Sequence, residues 1–150
     1  MEFFVGACWH GEFSDGESTD IHCLRPMYGG LYVRDNHIVS GPRGPYGGET
    51  VFSWNAESKS IEYTYWDTSG GVSKGKMVAT KDGLTSPVES YTYSDGRELK
   101  MRTSWVITGP DTWRQQSEAV GEEKTQLLWS IDYKRMPLDY GPTPLSEKQN

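Results

Sequence analysis

The stretch Gly6-Ala7-Cys8-Trp9-His10-Gly11-Glu12-Phe13-Ser14-Asp15-Gly16-Glu17-Ser18-Thr19-Asp20-Ile21-His22-Cys23-Leu24 decides how the chain is read. At its centre, Asp15-Gly16 is a strong two-residue turn signal, because both central positions of a type I′ turn take φ > 0. A turn there sets Ser14 opposite Glu17 and, stepping outward, Cys8 opposite Cys23 and Trp9 opposite His22. Two cysteines directly across an antiparallel pair stand within disulfide reach. Such a bond closes a loop of about 15 residues and contributes roughly 3 kcal/mol through the unfolded chain's entropy. Gly29-Gly30 as the next turn sets Leu24 opposite Asp35 and His22 opposite His37. Side chains alternate along strands, so Trp9, His22 and His37 share one face, and Cys8, His10 and Cys23 share the other.

Further along, Gly41-Pro42-Arg43-Gly44-Pro45-Tyr46-Gly47-Gly48 reads as a loop. Strands follow at Glu49–Trp54 and Lys59–Trp66, in which Thr50, Phe52 and Trp54 alternate, as do Ile61, Tyr63 and Tyr65. Both sets are assigned to the inward face. The next strand, Val72–Thr80, carries Ser73, Gly75 and Met77 on one side. A hairpin about Asp95-Gly96 joins Leu84–Tyr93 to Glu98–Thr108, pairing Thr92 with Leu99 and Tyr91 with Lys100; Pro87 fits an edge or a bulge. Thr112–Ala119 and Lys124–Arg135 complete the set. At the other end, Met1-Glu2-Phe3-Phe4 reads as entering a strand almost at once. No segment keeps a helical period. Nine or ten strands in up-and-down order make a sheet that curls and closes to remove its edges. The expected fold is one all-β, antiparallel barrel over residues 1–135, with a flexible, proline-rich tail over 136–150.

With 150 residues the chain forms one domain with a real core. Six Trp, nine Tyr, 17 Gly and a mean hydropathy of −0.69 suit many short strands whose interior is aromatic or polar. The net charge of −6, with no Lys or Arg in residues 1–24, lacks the basic stripe of a nucleic-acid binder. No apolar run approaches a membrane span. The sequence shows no secretory signal, so the expected location is periplasmic or secreted if an export segment was trimmed, and otherwise cytoplasmic. The cysteine pairing leans toward the periplasm.

Gly6-Ala7-Cys8-Trp9 opening the first strand, meandering hairpins, and Arg135 closing the last resemble the calycin group, which includes lipocalins, fatty-acid-binding proteins and nitrobindin-like barrels. Cys8-Trp9-His10-Gly11, Asp20-Ile21-His22-Cys23, Gly30 through His37, Gly48-Glu49-Thr50 and Tyr65-Trp66 look most like a lipocalin-like family of bacterial proteins of unassigned function. That resemblance covers residues 3 to 135 and implies an up-and-down barrel. It also implies a structural role for Arg135, packed across Trp9 in a cation–π contact at the barrel's end. The chain departs from these patterns in places. Lipocalins space the opening motif as Gly-x-Trp, one residue shorter. Nitrobindin-like barrels ligate haem through a late histidine, and here none follows His37. Fatty-acid-binding proteins use a late Arg-x-Tyr, against Tyr133-Lys134-Arg135 here.

Each candidate site residue has two readings. His22 and His37, near Asp20 and Asp35, offer acid–base chemistry or two metal ligands; alternatively they satisfy barrel hydrogen bonds. Cys8, His10, His22 and Cys23 reach a zinc count, but alternation puts His22 on the other face and the spacing fits no compact motif. No metal or cofactor is therefore assigned. Trp9, Phe52, Trp54, Tyr63 and Tyr65 line a cavity or fill a core. Arg102 and Arg114 would anchor a ligand carboxylate if inward, or face solvent. A register pairing Ile107 with Thr112 would allow one of them inside at most. Gly-rich turns here lead into no helix, which leaves nucleotide binding unsupported. The expected function is lipocalin-like binding of a small, largely apolar or amphipathic molecule in the barrel. One alternative is a lyase or isomerase using His22 and His37 as acid and base; a second is a filled-core interaction protein. Whether the chain is an enzyme stays open at this point.

Overall fold

Alternating inward and outward residues, broken by glycine and asparagine turns, build eleven strands in the computed structural model, which describes residues 1–141. They are β1 (Ala7–Phe13), β2 (Thr19–Met27), β3 (Tyr32–Ser40), β4 (Tyr46–Asn55), β5 (Ser60–Asp67), β6 (Val72–Thr80), β7 (Gly83–Thr85), β8 (Glu89–Thr92), β9 (Glu98–Gly109), β10 (Thr112–Val120) and β11 (Thr125–Met136). All pairings are antiparallel between neighbours, and β11 returns to β1, so the sheet closes. Short β7 and β8 occupy a single position between β6 and β9, which makes a barrel of ten positions from eleven strands.

The first two hairpins hold the register read from their turns. Cys8 pairs with Cys23, Trp9 with His22, Leu24 with Asp35 and His22 with His37. A disulfide joins Cys8 to Cys23. Both sulfurs lie on the outer face yet are buried, under the segment that follows Met136. Leu138–Tyr140 form a 3-10 turn there, Arg25 Nη2 donates to the Leu138 carbonyl at 2.9 Å, and a Cβ at Gly141 would overlap Cys23 Sγ. Residues 142–150 of the expected tail lie outside the described residues.

Three local expectations are corrected. At Asp95-Gly96 the loop is one residue longer than a two-residue turn. The Tyr93 N–H donates to the Arg97 carbonyl and Gly96 takes φ +86°, so Tyr91 pairs with Leu99 and Thr92 with Glu98. Leu84–Tyr93 is not continuous, because Pro87, which has no N–H to give a ladder, falls in the break between β7 and β8. Met1-Glu2-Phe3-Phe4 is a turn, closed by the Phe4 and Val5 N–H groups on the Met1 carbonyl.

That turn plugs one end of the barrel. Phe4 is 1% exposed, with its ring 5.1 Å from Trp105 and 5.3 Å from Trp113. Trp9 Nε1 donates to the Phe4 carbonyl at 2.9 Å. The Arg135 guanidinium lies 4.3 Å over the Trp9 ring and donates to the Phe3 carbonyl at 2.7 Å. Trp113 stacks on Tyr133, 4.4 Å between centroids. Edge-to-face and stacked aromatic pairs each add about 0.5–1.5 kcal/mol beyond area burial. This end is solid.

Candidate functional site

The other half of the barrel is hollow. A cavity of about 910 Å³ opens at the end bearing the loop of residues 41–45. This contradicts a loop reading that runs on to Gly48, since Tyr46, Gly47 and Gly48 begin β4. Apolar lining comes from Phe52, Met77, Met101, Trp105, Trp129 and Ile131, spread over four strands. Between them stand His22, His37, Asp20, Asp35, Tyr46 and Tyr65, with Glu89 and Tyr63. Two inward glycines make room. A Cβ at Gly48 would overlap the Tyr65 ring, and one at Gly75 would overlap Glu89 Oε2.

Of the residues singled out in the sequence, His22, His37, Phe52, Tyr63 and Tyr65 meet in this cavity. Four do not. Trp9 points inward but is sealed in the plugged end. Trp54 shares the Phe52 face but sits one residue from the end of β4, paired with Ile61, and is 61% exposed. Arg102 and Arg114 both point outward. Thr108 bulges, so Ile107 pairs with Trp113 rather than Thr112. Arg114 consequently faces Asp132 with a two-pronged contact at 2.7 and 2.8 Å, and Arg102 faces Glu118 at 2.8 Å.

His22 is clamped. Its Nδ1 lies 2.7 Å from Asp35 Oδ2 and its Nε2 3.2 Å from Asp20 Oδ2. Burial alone would lower the imidazole's pKa, but Asp35 and then Asp20 outweigh it and raise His22 to about 10. The same clamp drives Asp20, against its own burial, well below the usual carboxylate range. His22 is thus an imidazolium across the neutral range, a fixed charge rather than a base.

His37 stacks on His22, 4.8 Å between centroids with 13° between planes. Its Nδ1 lies 3.2 Å from Asp20 Oδ1 and its Nε2 3.0 Å from the Tyr65 hydroxyl, which is 2.7 Å from the Tyr46 hydroxyl. The carboxylate end of this chain is fixed. Ionised Asp20 only accepts, so His37 Nδ1 carries a proton. Beyond Nδ1, the His37 Nε2–Tyr65 and Tyr65–Tyr46 hydrogen bonds can run in either direction, so the chain can pass a proton both ways. Burial first, and then the neighbouring phenol, pushes Tyr65 well above the ordinary phenol value, and burial does the same for Tyr46. Both stay protonated.

Asp20, His22 and His37 bring ligand atoms within 4.8 Å of one another, as a metal site would. The ring stacking opposes that use. A metal lies in the plane of each imidazole that binds it, and an ion shared by two parallel rings would sit well outside at least one plane. Oxidation of Cys8 and Cys23 also removes both thiolates of the four-residue zinc set.

Glu89 was not picked out from the sequence. Its Oε1 accepts from the Tyr63 hydroxyl, and its Oε2 is buried without a partner. Burial raises its carboxyl to about 7, against the lowering effects of Tyr63 and Ser86. Its signal was present in the alternation of Glu89, Tyr91 and Tyr93 beyond Pro87, opposite the small inward Gly75. Trp105 was equally legible in the Met101, Thr103, Trp105 alternation.

No protein-family model matches the sequence, and no curated protein matches it. Among solved structures it is similar to a de novo designed fluorescence-activating β-barrel at a TM-score of 0.43 and 14% identity, over 90% of this chain and 95% of that one.

Proposed function

We propose that the protein binds a small, largely apolar molecule with a polar end inside its barrel, in the manner of lipocalin-like proteins. One observation carries this reading: a cavity of about 910 Å³ whose lining combines aromatic side chains with a hydrogen-bonded polar chain. Ligand sites commonly span about 300–1,000 Å³ and combine apolar lining with a few placed polar groups. The same void runs against a filled-core interaction protein. A buried disulfide favours an oxidising compartment, periplasmic or extracellular.

Native mass spectrometry of the purified protein, together with Nile red titration, tests the reading. A co-purified molecule that leaves on denaturation, or saturable dye binding lost in Ser73→Trp, supports it, since Ser73 points inward opposite Tyr65. An empty spectrum with no dye binding overturns it.

The chain from Asp20 through His37 and Tyr65 to Tyr46 favours a second reading, acid–base catalysis at the mouth. In it His37 exchanges the proton, and His22 is the charge that holds Asp20 ionised. His37→Gln would then cost orders of magnitude in turnover, where a container would lose only affinity.

A further inference from the structure

The container reading leaves the sign of the ligand open, and the interior argues for one sign. A barrel built to hold a carboxylate would turn an arginine inward, but Arg102 and Arg114 are spent outside on Glu118 and Asp132. Among the described residues, the one Lys or Arg side chain lining the cavity is Arg43, exposed on the mouth loop. Three carboxyl groups line the same space: Asp20, Asp35 and Glu89. Against them stands the His22 imidazolium, already shared between two of the three.

The hydrogen-bond directions agree with the charges. Among the cavity phenols, Tyr63 donates to Glu89 and Tyr91 to Asp67 at 2.6 Å. These phenols therefore turn oxygen lone pairs, not hydrogens, toward a guest. Asp35 Oδ1 and Glu89 Oε2 are buried oxygens without partners. Unpaired buried acceptors are costly, and a donor brought by a ligand relieves that cost. Aromatic faces at Phe52, Tyr63 and Trp105 suit a cation as well as an apolar ring.

Resting on the container reading, we propose that the ligand is an amine: an apolar, ring-sized body carrying a protonated nitrogen that Glu89 anchors inside the barrel. The ammonium N–H groups meet the acceptor-rich side wall and the body lies against Phe52 and Trp105.

The test uses the whole protein at about pH 8, where a carboxyl near 7 is ionised. Nile red reports occupancy, and three competitors share one ring system: naphthylmethylamine, naphthalenemethanol and naphthoate. The amine is expected to displace the dye at a concentration at least about tenfold below that of naphthoate, the worth of one charge-assisted hydrogen bond. Glu89→Gln should bring the amine to within about twofold of the alcohol. Gly75→Ala, whose Cβ would push the carboxyl aside, should cause the same loss with Glu89 still present. Naphthoate competing as well as the amine, or an amine preference that survives both substitutions, overturns the proposal. Failure of Nile red itself to bind sinks the container reading instead, so the two failures are told apart.

Discussion

The two halves of this barrel follow one rule of alternation and reach opposite ends. In the plugged half the inward positions hold Trp9, Leu24, Trp113 and Tyr133, and Phe4 enters from outside the strands to fill what remains. In the hollow half they hold Gly48, Ser73, Gly75, Thr103 and Ser117, small residues that leave space between the rings. The difference teaches that inwardness alone does not make a core. Side-chain volume, summed across facing strands, decides between packing and void.

The largest effect expected from this contrast is at the plug. Trp113→Ala should lower stability by about 3–5 kcal/mol, read as a shift in the urea midpoint with unchanged slope. A similar loss with Nile red binding better preserved than folding would sharpen the division of labour; a loss below about 1 kcal/mol would break it. His22→Ala, at the border of the halves, strands Asp20 and Asp35 as buried charges and should cost about 3–5 kcal/mol. Adding Asp35→Asn should recover part of that loss. Replacing Cys8 and Cys23 together by serine removes a crosslink spanning 15 residues and should cost roughly 3 kcal/mol.

Smaller and pH-dependent effects separate the halves further. Glu89 is raised from an ordinary 4.5 to about 7, so the folded protein holds a proton there that the unfolded chain has released. Its contribution is full below pH 4.5 and is lost as pH rises toward 7. Glu89→Gln should flatten that decline in a series of melting temperatures. His22 is raised from 6.5 to about 10, so its contribution is full below 6.5 and fades as pH climbs through 10. That second decline should survive Glu89→Gln. Arg114→Ala, on the outer wall, should leave both the melting temperature and Nile red binding close to those of the parent protein, because an exposed ion pair contributes little.

How far the sequence could be read depended on how well each turn was specified. Asp15-Gly16 and Gly29-Gly30 carried the register of three strands, and with it the Cys8–Cys23 crosslink and the His22–His37 pair. Asp95-Gly96 looks the same in one dimension but closes a longer loop, because Tyr93 rather than Ser94 is the last paired residue. At Thr108 a bulge sends Arg114 out beside Arg102, and a bulge has no residue signature of its own here. Closure of the sheet was legible; the Phe4 plug was not, since it depends on contacts with Trp105 and Trp113 about a hundred residues away. In the site, the two imidazoles were visible by pairing, whereas Glu89 was masked by Pro87 and by the assumption of one unbroken strand.

The break at Pro87 has a mechanical consequence. On the β9 side it is stitched, with the Ser86 N–H on the Thr103 carbonyl and the Thr103 N–H on Ser86 Oγ, both at 2.8 Å. On the β6 side the ladder runs only through Val72 and Ser73 and again from Val78 to Thr80. Lys74 to Met77 thus form an unlaced slit, with an outer groove along it and Glu89 reaching both the groove and the cavity. A cylinder with one slack seam parts there first, so amide exchange should be fastest along that edge of β6.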